Sequence, residues 1–278
     1  MAKLRALSAI LAYLFLFVSV ISFASQAQQK LKLGSTLTVT ESGSWKSIQK
    51  GVEFRQIALE RSEPSHTIDL KVLRFDSHRV MPRVLYSGQF QLKTASAKTF
   101  AEKSGAIAAI NANYFDEKGR PLAYLKTVEK EINSAVSKHA LYTGIFGVRD
   151  SVPFVTHRDN FQTTLVSQAL QSGPLLLNKG AVAEIMNGSG RYARRSVIGV
   201  DKEGRILIGV TDAVLAGLNF SELQELFTGA KWQLDTPDLL NLDGGGSAQL
   251  YVKAGKFEEW VSGTSEVPVV IGFFAKPN

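Results

Sequence analysis

The stretch that decides the fold is Asn241-Leu242-Asp243-Gly244-Gly245-Gly246-Ser247, where a short apolar run ends on a carboxylate and turns through three glycines into Ala248-Gln249-Leu250-Tyr251-Val252. Three consecutive glycines forfeit side-chain packing and carry the largest conformational entropy cost. A chain keeps them where the backbone needs positive φ or must lie against something bulky. A wide hairpin turn is the plain reading. The phosphate-cradling loop of nucleotide hydrolases needs a Lys-Ser/Thr pair followed by a helix, and a dinucleotide-binding loop also needs a helix. Ser247 to Val252 reads as a strand instead, which excludes both. What remains is a turn whose backbone N–H groups can form an anion-binding concavity beside Asp243, with Asn241 and Ser247 as the flanking polar groups.

Outward from that loop the chain reads as strands with a few helices. Leu37–Thr40 and Gly51–Glu60 are strand-like, and Thr67–Phe75 returns with Ile68, Leu70 and Val72 on one face, an antiparallel hairpin. Thr94 to Ser104 has helical spacing of Ala97, Phe100 and Ala101, with Thr94 or Ser96 as cap and Gly105 as stop. A buried strand, Ala106–Asn111, runs into Asn111-Ala112-Asn113-Tyr114-Phe115-Asp116, and amides at a strand end are site candidates, although turn asparagines look the same. Ala140–Val148 and Val152–Val155 read as strands and Thr163–Leu170 as a short helix leading to Ser172-Gly173-Pro174. Ser196–Val200 and Arg205–Thr211 form a hairpin around Asp201–Gly204. Phe220–Phe227 is an amphipathic helix capped by Asn219 or Ser221, with Glu222 or Gln224 completing a capping box. Residues 117–137 keep no period and read as a mobile loop. The expected fold is α+β: a mixed, largely antiparallel β-sheet core flanked by a few helices.

At 278 residues and 45% hydrophobic content the chain can bury a large core. Lys3 and Arg5, the apolar run Ala6 to Phe23 and the small residues of Ser25-Gln26-Ala27 make the three-part pattern of a signal peptide over residues 1–27, cleaved after Ala27. An uncleaved anchor is the alternative, since roughly 17 apolar residues begin to span a bilayer. No stable membrane span is expected after cleavage, and the protein is expected to be exported, periplasmic or secreted. Residues 1–27 carry two cations and no acid, so the formal charge falls from +7 to +5 in the mature chain. A basic exported protein favours anionic partners such as phosphates or polyanionic glycans; a nucleic-acid partner is not expected. With no cysteine there is no disulfide and no thiolate nucleophile.

Known catalytic signatures are absent. There is no His-Glu-x-x-His, no Gly-x-Ser-x-Gly and no Asp-rich calcium loop, and the four histidines are scattered through irregular segments. Carboxylates and arginines remain, with Asp212 and Asp243 both ending apolar strands.

Four segments read together: Ile110-Asn111-Ala112-Asn113-Tyr114-Phe115-Asp116, Gln171-Ser172-Gly173-Pro174-Leu175-Leu176, Arg195-Ser196-Val197-Ile198-Gly199-Val200-Asp201 and Asn241 to Ser247. Their order and spacing resemble the phosphodiester glycosidase family over roughly Gly51 to Phe274, most closely its bacterial envelope branch. The resemblance implies a single phosphodiester glycosidase-like domain over 28–278 and hydrolysis of a sugar-1-phosphodiester. It places Asn111, Arg195, Asp212, Asp243 and the Gly244–Ser247 loop on family motif positions. Two departures stand out: Thr264-Ser265-Glu266-Val267-Pro268-Val269 lacks an arginine often found there, and Asp212 is followed by Ala213-Val214 where many relatives have Gly-Arg.

The chemistry fits such a reaction. Breaking the anomeric C–O bond expels a phosphate monoester, which needs charge stabilisation more than a strong general acid. Arg195, with Arg194, and the amides of Gly244, Gly245, Gly246 and Ser247 are the expected source. Asn111, Asn113, Ser172, Gly173 and Asn241 complete the candidate substrate contacts. Either Asp243 or Asp212 serves as base for water or as nucleophile, since the carboxylate separation that distinguishes inverting from retaining enzymes is not in a sequence. The two carboxylates are also hard ligands of the kind a divalent cation takes, although no ligand-spacing motif is present. The competing expectation is a non-catalytic envelope protein that binds anionic glycans in the same cleft.

Overall fold

Alternating Val52, Phe54, Ile57 and Leu59 on one strand and Ile68, Leu70 and Val72 on the next give both strands apolar faces, and they pair as the longest hairpin of the molecule. Val52–Ser62 and Ser65–Phe75 run in unbroken antiparallel register from Val52 opposite Phe75 to Ser62 opposite Ser65. The computed structural model describes residues 31–33, 36–185, 190–229, 232 and 234–277. The expected signal peptide at residues 1–27 lies outside them, and no helix among the described residues is long and apolar enough to cross a membrane.

The hairpin sits in a ten-stranded sheet. Its order continues from Ser65–Phe75 through Ile206–Asp212, Ser196–Val200, Asp238–Asn241 and Leu175–Asn178 to Ala181–Val182. A second, five-stranded sheet is ordered Phe257–Val261, Leu250–Ala254, Ala108–Asn111, Val269–Ala275, Val80–Tyr86. A third has Val152–His157, Gly144–Arg149, Gln168–Ser172, Leu125–Lys126 and Glu131–Asn133. One apolar cluster fills the space where the three sheets meet, drawing Phe75 and Ile208 from the first, Ile110 and Phe273 from the second and Phe146 and Leu170 from the third. Phe75 and Phe273 stack across it with ring centroids 4.1 Å apart.

The outer faces are closed by two short helices. Phe220–Thr228 covers the large sheet through Phe220, Leu223, Leu226 and Phe227, and Ala97–Ser104 covers the second sheet through Phe100 and Ala101. At eight and nine residues neither is long enough to persist alone in water. Ser96 caps the first, which ends on Gly105 in the left-handed region, and Asn219 with Glu222 forms a reciprocal capping box on the second.

Three expectations change. The fold is β-rich rather than balanced α+β: every strand pair described is antiparallel, and only two α-helices are present among the described residues. The expected helix Thr163–Leu170 is a single 3-10 turn, Thr163–Leu165, followed by the strand Gln168–Ser172. All five residues of that strand are buried, so the alternation that marks a half-exposed strand is missing. The expected mobile loop contains the strands Leu125–Lys126 and Glu131–Asn133, too short to show a period.

Candidate active site

The loop that opened the sequence reading is not a hairpin turn. Asp238–Asn241 belongs to the large sheet and Leu250–Ala254 to the second, so residues 242–249 carry the chain between sheets. Beside it, the starts and ends of three adjacent strands come to one edge. Leu242 N–H donates to Ser196 O (2.8 Å), Thr211 N–H to Arg195 O (2.9 Å) and Gly245 N–H to Arg194 O (2.8 Å). The facing strand Ala108–Asn111 ends at the same place: Asp243 N–H donates to Ala112 O (2.8 Å) and Asn111 Nδ2 to Asp243 O (2.7 Å). Asn111 is fully buried, and its Oδ1 accepts from Ser196 Oγ (2.7 Å) and from Gln249 N–H (3.1 Å). Its amide joins three segments, so Asn111 helps to position Asp243.

The glycines answer to different demands. A Cβ on Gly244 would stand 2.7 Å from the backbone Arg194 O, so close packing excludes a side chain there, and one on Gly246 would stand 2.7 Å from Thr264 Oγ1, which would have to turn away. Gly245 meets nothing within 4 Å but has φ +59°. Three of the four loop amides have acceptors within the protein: Gly244 N–H is taken by Asp243 Oδ1 (2.8 Å), Gly245 N–H by Arg194 O and Ser247 N–H by Gly244 O (3.1 Å). Gly245→Ala is expected to cost about 1 kcal/mol of stability from its left-handed backbone alone. Because its Cβ would project into open space at the site, activity should fall far more than that. Urea unfolding beside turnover checks this; lowered stability with full activity marks the loop as an ordinary turn.

The two candidate carboxylates have different surroundings. Asp243 is partly buried at the loop's start, its Oδ1 accepting from Gly244 N–H and its carboxylate bonded by the Ser247 side chain. No ion pair among the described residues involves it. Burial outweighs those two hydrogen bonds and pushes its pKa up to about 6. Asp212 is 44% exposed and paired: Lys71 Nζ donates to Asp212 Oδ2 (2.9 Å) and to Glu259 Oε1 (3.1 Å). Burial works against the Lys71 charge, but these two carboxylates outweigh it and hold its pKa above the ordinary value. The strand that begins at Ser196 runs between those ending at Asp212 and Asn241, which sets the two backbones roughly 10 Å apart. Asp212 turns to Lys71 rather than to Asp243. The described residues hold no cluster of three or more His, Cys, Asp or Glu able to take a metal.

The arginines are tied into the scaffold. Arg194 Nη2 donates to Ala248 O (2.9 Å) and Ser262 O (2.6 Å), bridging the large and second sheets. Arg195 donates through Nε to Leu218 O (2.9 Å) and through Nη2 to Arg191 O (2.5 Å), its guanidinium 4.0 Å from the centre of the Phe220 ring. Burial lowers the pKa of both. Each contributes positive charge beside the loop with much of its donor capacity already used.

On the other side lies Ser172-Gly173-Pro174. Tyr114 Oη donates to Gly173 O (2.9 Å), and Asn241 Nδ2 donates to the same carbonyl (2.8 Å) and to Tyr114 Oη (3.2 Å). A Cβ on Gly173 would lie 1.9 Å from Leu141 O, so a glycine here lets the segment before Gly144 pass close by. Asn113 Nδ2 and Oδ1, Ser172 Oγ, Asn241 Oδ1 and Arg194 Nε are buried without a protein partner. Such atoms cost roughly 1–3 kcal/mol each unless water or a ligand satisfies them, and all five belong to the segments that carry Asn111, Ser172, Arg195 and Asp243. Sequence reasoning missed Tyr114, Tyr142 and Lys71. Tyr114 sits inside a quoted motif and its phenol was a readable signal; Tyr142 and Lys71 carry none.

Both the sequence and the three-sheet fold that carry this site have counterparts among known proteins. Residues 104–274, more than half of the chain, match the model of the phosphodiester glycosidase family. The chain belongs to that family and is a glycosidase-type hydrolase. Its fold is similar to the zebrafish N-acetylglucosamine-1-phosphodiester alpha-N-acetylglucosaminidase catalytic domain auto-inhibited by its pro-peptide: TM-score 0.63, 18% identity, 87% of this chain and 89% of that one covered. It is also similar to a hypothetical protein from Synechocystis (0.59, 15%, 85% of this chain and 64% of that one). A Burkholderia pseudomallei protein described as exported is a third (0.57, 11%, 89% and 100%). At these identities the likeness is one of fold. No curated protein matches the chain by sequence.

Proposed function

We propose that the mature protein is an exported hydrolase that splits the bond between an anomeric carbon and phosphate in a sugar-1-phosphodiester. The observation that carries this reading is Asp243: a partly buried carboxylate in no ion pair among the described residues, with a pKa near 6, its backbone fixed by Asn111 and Ala112. Asp243 acts as base for water or as nucleophile toward the anomeric carbon, and Asp212, which shares Lys71 with Glu259, contributes to the electrostatics of the edge. Arg194 and Arg195 supply positive charge where the phosphate monoester departs.

The test is release of sugar by the purified mature chain from a panel of sugar-1-phosphodiesters that includes nucleotide sugars and cell-wall fragments. The reactive form of Asp243 is the ionised one. Activity as kcat/KM is therefore expected to be level above about pH 6 and to fall about tenfold per pH unit below it. A profile that instead falls on the alkaline side of pH 6 makes Asp243 an acid and overturns its assigned role. Retention of an intact glycan with no release favours the binding-only reading. N-terminal sequencing of protein recovered outside the cytoplasm, beginning at Gln28, tests export.

A further inference from the structure

Residues 137–143 form an irregular strap between the strands Glu131–Asn133 and Gly144–Arg149, and two side chains hold it from beneath. Gln171, fully buried, donates through Nε2 to Ser137 O (2.8 Å) and Tyr142 O (2.7 Å) and accepts from Ser137 N–H through Oε1 (2.7 Å). Arg158 Nη1 donates to His139 O (2.5 Å), Tyr142 O (3.2 Å) and Ser137 O (3.3 Å). Leu175 N–H donates to Thr143 Oγ1 (2.8 Å), and Gly173 leaves room for Leu141. A loop whose carbonyls at Ser137, His139 and Tyr142 are held by one buried and one partly buried side chain is preorganised.

The strap presents Tyr142. Its ring stacks on Tyr114 with centroids 5.2 Å apart at 29°, and His139 lies 4.9 Å from it. Tyr114 in turn bonds Asn241, two residues before Asp243. The Tyr114 hydroxyl is consumed by Gly173 O, whereas the Tyr142 hydroxyl makes no hydrogen bond among the described residues, and its ring remains partly exposed. We infer that Tyr142 is a substrate-contact residue that donates its hydroxyl to a phosphate oxygen of the phosphodiester.

Two features favour phosphate as the acceptor. Arg194 Nη2, Arg195 Nε and Nη2 and the Gly244, Gly245 and Ser247 amides are bonded to oxygens of the protein itself, which leaves the departing phosphate few donors on this side and makes a further one on the facing strap valuable. Burial and then the charge of Asp243 raise the Tyr142 phenol, which keeps it protonated and therefore a donor at neutral pH.

This inference rests on the hydrolase reading, and its test is independent of turnover. Binding of methyl phosphate, the smallest phosphomonoester leaving group, is followed by 31P line broadening on the full mature chain and on Tyr142→Phe. The variant should fold with an unchanged melting temperature, because the lost hydroxyl bonds nothing in the protein. It should bind methyl phosphate about 10-fold more weakly, the size of one hydrogen bond to an anion. It should also lose a comparable factor in kcat/KM wherever sugar release is measurable. Equal binding by the two proteins overturns the inference, as does a wild-type protein that releases sugar yet does not bind methyl phosphate. Absence of sugar release across the whole panel sinks the hydrolase substrate instead, and the binding comparison still judges Tyr142.

Discussion

Asp243→Asn should lower kcat by at least ~100-fold, a few kcal/mol of transition-state stabilisation, in a protein that remains folded. The asparagine Oδ1 can still accept from Gly244 N–H, and the backbone of residue 243 keeps its bonds to Ala112 and Asn111. What is lost is the group that ionises. The sign of the stability change follows from the raised pKa. Stabilisation that depends on the bound proton is present below the ordinary carboxylate value and is lost as pH rises through about 6. Above pH 6 the ionised, partly buried carboxylate costs at most roughly 3 kcal/mol relative to its protonated form. At pH 8 the variant should therefore melt at the same temperature as the parent or a few degrees higher. Turnover and melting curves at pH 8 check both halves. A fully active variant removes Asp243 from the chemistry, and one that melts well below the parent makes its role structural.

Arg61→Met should destabilise the protein by about 3–5 kcal/mol, the usual cost of removing one partner from a buried ion pair. Arg61 is fully buried and grips Glu222 with two parallel bonds, Nη1 to Oε1 (3.0 Å) and Nη2 to Oε2 (2.9 Å). It also donates to Gly217 O (3.2 Å) and Thr36 Oγ1 (3.2 Å), and its guanidinium carbon lies 3.9 Å from the centre of the Tyr192 ring. Glu222 meanwhile accepts from Asn219 N–H as part of the helix cap, so one pair couples the long hairpin, the helix Phe220–Thr228 and the segments that lead to Arg194 and from Asp212. Removing the guanidinium strands a carboxylate that is 9% exposed. Urea unfolding measures the loss. Adding Glu222→Gln should recover part of it, because no buried charge is then left alone; no recovery would mean that packing, not charge pairing, is what Arg61 provides.

Sequence alone determined the parts that are local. The hairpin of Val52–Ser62 and Ser65–Phe75 follows from period-two alternation and the two helices from apolar spacing between cap and stop signals, while the structure chose Ser96 over Thr94 and the Asn219–Glu222 box over Ser221 with Gln224. The family was also legible, because its motifs are short and contiguous: Asn-Leu-Asp-Gly-Gly-Gly-Ser and Ser-Gly-Pro keep their order whatever surrounds them. Tertiary structure decided the rest. Gln168–Ser172 is a strand because Gly144–Arg149 and Leu125–Lys126 pair along its two edges while the core buries both its faces, which depends on partners elsewhere in the chain. Asp212 and Asp243 look alike as strand-ending carboxylates, yet Lys71 pairs with one while burial perturbs the other. The arginines looked like free phosphate grips until backbone carbonyls from Arg191, Leu218, Ala248 and Ser262 closed around them. Tyr142 had no signal at all, since its place beside Tyr114 depends on a strap held by Arg158 and Gln171. Local preferences are set by neighbouring residues along the chain. Charge, burial and hydrogen-bond capacity at a site are set by residues a hundred positions away, and only the folded sheets bring them together.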